Sequence, residues 1–170
     1  MPLPAPCNYS IRVKIGRRHE TSGNHLSEDD KRKMKAAKIK EQVEAGIPRM
    51  HILKSLWRMS LDGMSVSQGE EISQIKDSIE GTMVGRNIDG KTLEKEGRTD
   101  EAMALYEENI KDCFDGSWPY DRLAKIYAQR KDYSNAIRVY ETYLNNTSPA
   151  QREKEYSRIM QHINEWKHLC

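Results

Sequence analysis

The amino-acid sequence predicts an all-α fold, and three observations lead to this prediction. Charged residues make up 32% of the 170-residue chain and hydrophobic residues only 36%, which suits amphipathic helices with wide polar faces. Ten glycines, six prolines and one phenylalanine are too few for an all-β fold with many tight turns. A pattern of similar residues also recurs every 34 positions in the second half of the chain, which is typical of a helical repeat.

Charge divides the chain into two parts. Residues 11–58 carry 13 Lys and Arg against 6 Asp and Glu, whereas residues 59–170 carry 15 against 20. Such a split indicates two parts with different partners. The mean hydropathy of -0.88 leaves no room for a membrane-spanning segment. Residues 1–6 lack the basic start and apolar core of a secretory signal, so we expect a soluble, cytoplasmic protein.

Residues 1–26 form a loosely ordered N-terminal arm in this prediction. Three prolines lie within the first six positions. Residues 9–15 alternate between apolar and polar side chains, which predicts one short strand. A lone strand needs a partner, so it either pairs with a second chain or does not form.

Residues 27–83 are predicted to form a basic three-helix segment. The first helix begins after Ser27, a capping residue, and ends before Gly46 and Pro48. The second covers 49–61, and its apolar side chains recur at helical spacing: Met50, Leu53, Leu56, Trp57 and Leu61. The third covers 69–80 with Ile72, Ile75 and Ile79 on one face, and Gly81 is the expected break.

The basic residues of the N-terminal half suggest two kinds of partner. They are Arg17, Arg18, Lys31, Arg32, Lys33, Lys35, Lys38 and Lys40. Such side chains can neutralise phosphates of DNA or RNA, and residues 41–56 are similar to the first two helices of a helix-turn-helix reader. The expected reading helix, however, carries Glu70, Glu71, Asp77 and Glu80, which disfavour contact with phosphates. An acidic protein surface, a nucleic acid and a nucleoprotein complex all remain open as partners.

The 34-residue period links two segments of the second half. The equivalent pairs are Leu93 and Tyr127, Ala102 and Ala136, Tyr106 and Tyr140, and Ile110 and Leu144. This order of large, small and aromatic residues resembles the tetratricopeptide repeat. The resemblance implies two antiparallel helical hairpins over residues 84–152, stacked as a superhelix, followed by a capping helix over 153–170. Two repeats and a cap fall short of the usual three, so either the helices of 49–80 stack on them or the chain forms a homodimer.

The second repeat follows the family pattern more closely than the first. Tyr120, Leu123 and Tyr127 lie on one face of its first helix, and Lys131 and Asp132 make the turn. Two small residues, Ala124 and Ala136, allow the helices to approach each other closely. A capping serine and a proline, Ser148 and Pro149, start the last helix. The first repeat departs from the pattern at Arg86 and Asp89, while Gly90 supplies its small residue.

The resemblance implies a binding scaffold and not an enzyme. The family's concave positions correspond to Asn87, Lys91, Glu94, Asp121, Lys125, Ala128 and Gln129. Lys91 and Lys125 alone do not reproduce the family's carboxylate clamp. We find no glycine-rich phosphate loop, nucleophile arrangement or metal-ligand spacing, so no cofactor is expected.

The prediction is therefore a protein–protein interaction module, acting as an adaptor, a regulator or an inhibitor of a larger complex. The alternative is a nucleic-acid-binding protein with an accessory repeat domain. The segment 118–124 is similar to small bacterial or phage tetratricopeptide proteins.

Overall fold

The computed structural model describes residues 37, 40–60 and 66–170 of the chain. All regular structure within these ranges is α-helical, which confirms the predicted all-α class for them. Several predictions fall outside these ranges: the arm 1–26, the strand 9–15, and the basic residues Arg17, Arg18, Lys31, Arg32, Lys33, Lys35 and Lys38. None of the described helices is long and apolar enough to cross a lipid bilayer. The chain divides into two compact units, with a boundary in the sequence between Ile79 and Glu80.

The first unit contains helix α1, Arg49–Ser60, which begins directly after Pro48. Its apolar side chains form a buried stripe: Met50, Ile52, Leu53 and Leu56. Trp57, which the sequence placed on this stripe, is instead exposed. The Nζ atom of Lys76 lies 3.7 Å from the centroid of the Trp57 ring, which is a cation–π contact.

Helix α2 runs without a break over Val66–Lys95, so the expected end at residue 80 is wrong. A Cβ atom added at Gly81 or Gly85 would meet no atom within 4 Å, which places both glycines on an open side of the helix. Glycine weakens a helix by only about 1 kcal/mol relative to alanine. Burial of Ile79 and Met83 on the same helix offsets that loss. The boundary suggested between residues 83 and 84 lies inside this helix.

The second unit continues with two helical hairpins and a final helix. The helices are α3 Thr99–Lys111, α4 Trp118–Gln129, α5 Tyr133–Asn146 and α6 Pro149–Lys167. Gly97, with a φ of 78°, provides the left-handed residue that ends α2. The hydroxyl of Ser148 accepts a hydrogen bond from the Gln151 amide at 3.3 Å, so the predicted cap of α6 is confirmed.

The hairpin of α4 and α5 is closed by aromatic packing. The rings of Tyr120 and Tyr143 lie 5.0 Å apart at 54°, and both are buried. The Tyr120 hydroxyl donates to the carbonyl of Phe114 at 2.8 Å, so this buried polar group is satisfied. Ala124 and Ala136 are fully buried, as the close approach of the two helices requires.

The hairpin of α2 and α3 is closed by a polar cluster. Arg86, which departs from the family pattern, is a member of this cluster. The Nη1 atom of Arg86 lies 2.6 Å from Oδ2 of Asp112, and the two side chains are only 14% and 10% exposed. Arg86 also donates to Asn109 at 3.3 Å, and Asn109 donates to the carbonyl of Met83 at 2.8 Å. Because the cluster members are bonded to one another, they hold the two helices together at this end of the hairpin, where the second repeat has tyrosine rings.

Candidate functional site

One surface of the second unit is formed by side chains from the first helices of successive hairpins. On α4, Trp118, Asp121, Arg122 and Lys125 recur at i, i+3, i+4 and i+7, which places them on one helix face. The positions 34 residues earlier lie on α2. We call the combined surface the inner face, and its members are Val84, Asn87, Ile88, Lys91, Glu94, Trp118, Asp121, Arg122, Lys125, Gln129 and Arg158.

Glu94 is held by an arginine of the following repeat. The Nε atom of Arg122 donates to Oε1 of Glu94 at 3.0 Å, and a second guanidinium nitrogen contacts Oε2. The Tyr106 hydroxyl donates to the same carboxylate at 2.7 Å. The bond from Arg122 and, after it, the bond from Tyr106 hold the pKa of Glu94 below its usual value, although burial opposes the shift. Burial, reinforced by the nearby Glu94, raises the pKa of Tyr106.

Asp121 is engaged in the same way by α6. Two guanidinium nitrogens of Arg158 donate to its two carboxylate oxygens at 2.9 and 3.3 Å. Burial, with the Asp121 charge as a further cause, raises the pKa of the neighbouring Tyr140 to about 12. The two ion pairs, Glu94 with Arg122 and Asp121 with Arg158, therefore join neighbouring repeats across the inner face.

The predicted partner-binding residues thus separate into two groups. The carboxylates of Glu94 and Asp121 form ion pairs within the chain. Asn87 accepts a hydrogen bond from Asn109 at 2.9 Å. Of the other four, Lys91, Lys125 and Gln129 are exposed and Ala128 is half-buried. No ion pair to Lys91 or Lys125 occurs within the described ranges, so the inner face keeps two positive charges that its own carboxylates do not neutralise.

Sequence reasoning missed an aromatic residue of this surface. Trp118 is 42% exposed. The Nζ atom of Lys91 lies 5.5 Å from the ring centroid, and the Cζ atom of Arg122 lies 6.0 Å from it. Val84, which is 34 residues earlier, and Ile88 are exposed as well. The repeat period itself was the signal, because it aligns Trp118 with Val84 on the first turn of this face.

Of the eight basic residues predicted to bind nucleic acid or an acidic surface, only Lys40 lies in the described part of the chain. It is exposed, and its Nζ atom lies 3.9 Å from a carboxylate oxygen of Glu44, one helical turn later. An exposed i, i+4 pair of this length contributes little to stability.

In the part of the chain that the structure describes, no group of three or more His, Cys, Asp and Glu side chains could hold a metal ion. The face combines exposed apolar side chains with ammonium groups. Trp and Arg are the side chains that most often dominate the binding energy of protein interfaces.

Comparison with known proteins identifies one repeat. The family model of the tetratricopeptide repeat matches residues 120–155, which cover most of α4, all of α5 and the start of α6. No curated protein and no solved structure matches the chain significantly. The sequence match and the helical hairpins together confirm the resemblance deduced from the 34-residue period. The chain is therefore a protein that contains a tetratricopeptide repeat.

Proposed function

We propose that this chain is a protein–protein interaction module that binds a segment of a larger complex across the inner face, as an adaptor, a regulator or an inhibitor. The observation that carries the proposal is Trp118, an exposed indole between Lys91 and Arg122. When a partner covers a large exposed aromatic side chain, apolar surface is removed from water, and this favours binding.

The charges of the inner face favour a partner segment with both apolar and acidic side chains. Glu94 and Asp121 face arginines, which leaves Lys91 and Lys125 to attract carboxylates. Val84 and Ile88 extend the apolar surface along α2. The basic residues from Arg17 to Lys40 add long-range attraction to an acidic surface, which raises the association rate more than the affinity.

Affinity capture with the full chain tests this proposal. The tagged protein is incubated with a cell lysate that has been treated with nuclease, and the retained proteins are compared among variants. We expect Trp118→Ala with Lys91→Glu and Lys125→Glu to lose the retained partner. The control Lys111→Glu reverses the charge of an exposed lysine outside the inner face and should retain it.

Two results would contradict the proposal. Equal capture by the triple variant and by the control would show that the inner face does not bind the partner. If the unaltered protein retains its partners only from a lysate that has not been treated with nuclease, the nucleic-acid alternative is favoured. Each variant must first show the helical circular dichroism of the parent, so that a loss of binding is not a loss of folding.

A further inference from the structure

Cys113 has a backbone conformation that usually belongs to glycine. It lies two residues after the end of α3 at Lys111, and its φ is 57°. In this left-handed region the Cβ atom comes too close to the following carbonyl oxygen, which costs free energy for residues other than glycine. Gly97, with a φ of 78° after α2, follows this rule. The side chain of Cys113 must therefore make an interaction that offsets the strain.

The side chain of Cys113 is buried, in contrast to the other non-glycine residue with a left-handed φ in the described ranges. That residue, Lys131, has a φ of 60° and is exposed. Cys113 is only 2% exposed, and its Sγ atom lies 3.9 Å from the carbonyl oxygen of Lys111. A covalent bond to this sulfur therefore attaches its partner directly to the loop between α3 and α4.

The sulfur of Cys113 belongs to a disulfide. The chain contains three cysteines, Cys7, Cys113 and Cys170. Cys170 is free and exposed, and its Sγ atom lies 3.9 Å from the hydroxyl oxygen of Ser134. Cys7, in the N-terminal arm, is thus the one cysteine left as a candidate partner.

We propose that Cys7 and Cys113 form a redox-sensitive disulfide, which tethers the N-terminal arm to the loop between the two repeats. The bond closes a loop of roughly 100 residues, and a crosslink over so long a loop removes much conformational freedom from the unfolded chain. Oxidation therefore stabilises the second unit, and reduction releases the arm from it.

The tether also limits where the first basic residues can be. Arg17 and Arg18 follow Cys7 by ten and eleven residues. Because an extended chain spans at most about 3.6 Å per residue, the bond keeps both arginines within about 40 Å of Cys113. Trp118 of the inner face is only five residues after Cys113. A contribution of these arginines to partner binding rests on the function proposed above, whereas the bond itself does not.

Thiol–disulfide exchange with glutathione disulfide forms the bond. One protein thiolate attacks the glutathione disulfide and releases one glutathione, which leaves a mixed disulfide. The second protein thiolate attacks the protein sulfur of that mixed disulfide and releases the other glutathione. The two protein thiols are oxidised, the glutathione disulfide is reduced, and the two protons pass to the released glutathione molecules.

Peptide mapping of the full chain tests the pairing. The purified protein is equilibrated with glutathione disulfide or with dithiothreitol, and the remaining thiols are blocked with N-ethylmaleimide. Tryptic peptides are then analysed by mass spectrometry without reduction. Trypsin releases Cys7 in peptide 1–12 and Cys113 in peptide 112–122. We expect these two peptides to be joined after oxidation, and to be separate after reduction, each with one maleimide.

Thermal denaturation provides a second readout. The oxidised protein should unfold at least about 5 °C above the reduced protein, because the bond constrains the unfolded chain. Cys7→Ser should abolish both the joined peptides and the temperature difference, although Cys113 is still present. The matched control is Cys170→Ser, which removes the free cysteine and should retain both effects.

Four results would overturn the proposal. Peptides 1–12 and 112–122 could stay separate after oxidation, or Cys170 could replace Cys7 in the joined pair. A covalent dimer of Cys170→Ser on a non-reducing gel would assign the bond of Cys113 to a second copy of this chain. A temperature difference that remains in Cys7→Ser would show that the stabilisation comes from another source.

Discussion

The two hairpins of the second unit use different interactions at equivalent positions to hold their helices together. The equivalent residues, 34 positions apart, are Arg86 and Tyr120, Asn109 and Tyr143, and Asp112 and Asn146. In the second repeat the contact is between two tilted tyrosine rings, with Asn146 donating to the Tyr120 hydroxyl at 3.3 Å. In the first repeat it is an ion pair and a chain of hydrogen bonds.

The difference shows that the same pairing of two helices can be held at these three positions either by aromatic side chains or by hydrogen-bonded polar side chains. Aromatic burial is non-directional and tolerates small shifts, whereas the polar cluster requires every member to be paired. The first repeat should therefore be the more sensitive of the two to the loss of a single polar partner. The following predictions test this comparison, in order of decreasing effect.

Removal of Arg86 should produce the largest change. Arg86→Ala removes the guanidinium that pairs with the buried carboxylate of Asp112, and a loss of about 3–5 kcal/mol in the free energy of unfolding is expected. Urea denaturation followed by circular dichroism measures it. The control is Glu108→Ala, which removes the more exposed partner of Arg86 and should lower the free energy by no more than about 1 kcal/mol. Equal losses in the two variants would show that the buried pair is not what closes the first repeat.

Replacement of Gly90, the small residue of the first repeat, should have an intermediate effect on the free energy of unfolding. Gly90→Ala gives the first repeat the residue that the second has at Ala124, but the new Cβ would lie 2.5 Å from Cε1 of Tyr106. We expect a loss of about 1–3 kcal/mol from overpacking. Gly85→Ala, on the same helix but in open space, should instead raise stability by up to about 1 kcal/mol. If both variants are stabilised in the same denaturation experiment, the first repeat is not closely packed at Gly90.

The ion pair between the repeats should have the smallest effect, and that effect should depend on pH. Glu94→Gln removes the charge opposite Arg122, and we expect a loss of about 1 kcal/mol at pH 7, since Arg122 is partly exposed.

The folded-state pKa of Glu94 is lowered, so its contribution is complete above the unfolded pKa of about 4.5 and disappears as the pH falls through the folded value. The stabilities of parent and variant should therefore begin to converge as the pH falls below about 4.5, and the convergence is complete once the pH has passed the lowered folded-state pKa. A difference that stays constant from pH 7 to pH 3 would contradict this account of the pair.

Much of the second unit was predictable because its period is carried by buried residues. Ala102, Tyr106, Ala136 and Tyr140 are all buried, and the turn at Lys131 and Asp132 lies between α4 and α5 as expected. The continuation of α2 past Gly81 was not predictable, because it depends on the tertiary burial of the opposite side of the helix and not on local propensity.

The inner face was predictable only in part, for a related reason. The period placed Lys91, Lys125 and Gln129 on exposed positions. It did not show that Glu94 and Asp121 are paired with arginines 28 and 37 residues away, since such pairing depends on how neighbouring repeats stack. A search for exposed apolar residues in register would have found Trp118 beside them.

Site-specific photo-crosslinking tests the proposed function of the inner face most directly. A benzophenone amino acid replaces Lys91 or Lys125 in the full chain, and in a control it replaces Lys111 on α3. Our account predicts that the two inner-face positions crosslink to one common protein band in a nuclease-treated lysate and that the control position does not. Crosslinks of equal yield at all three positions, or none at Lys91 and Lys125, would contradict binding across the inner face.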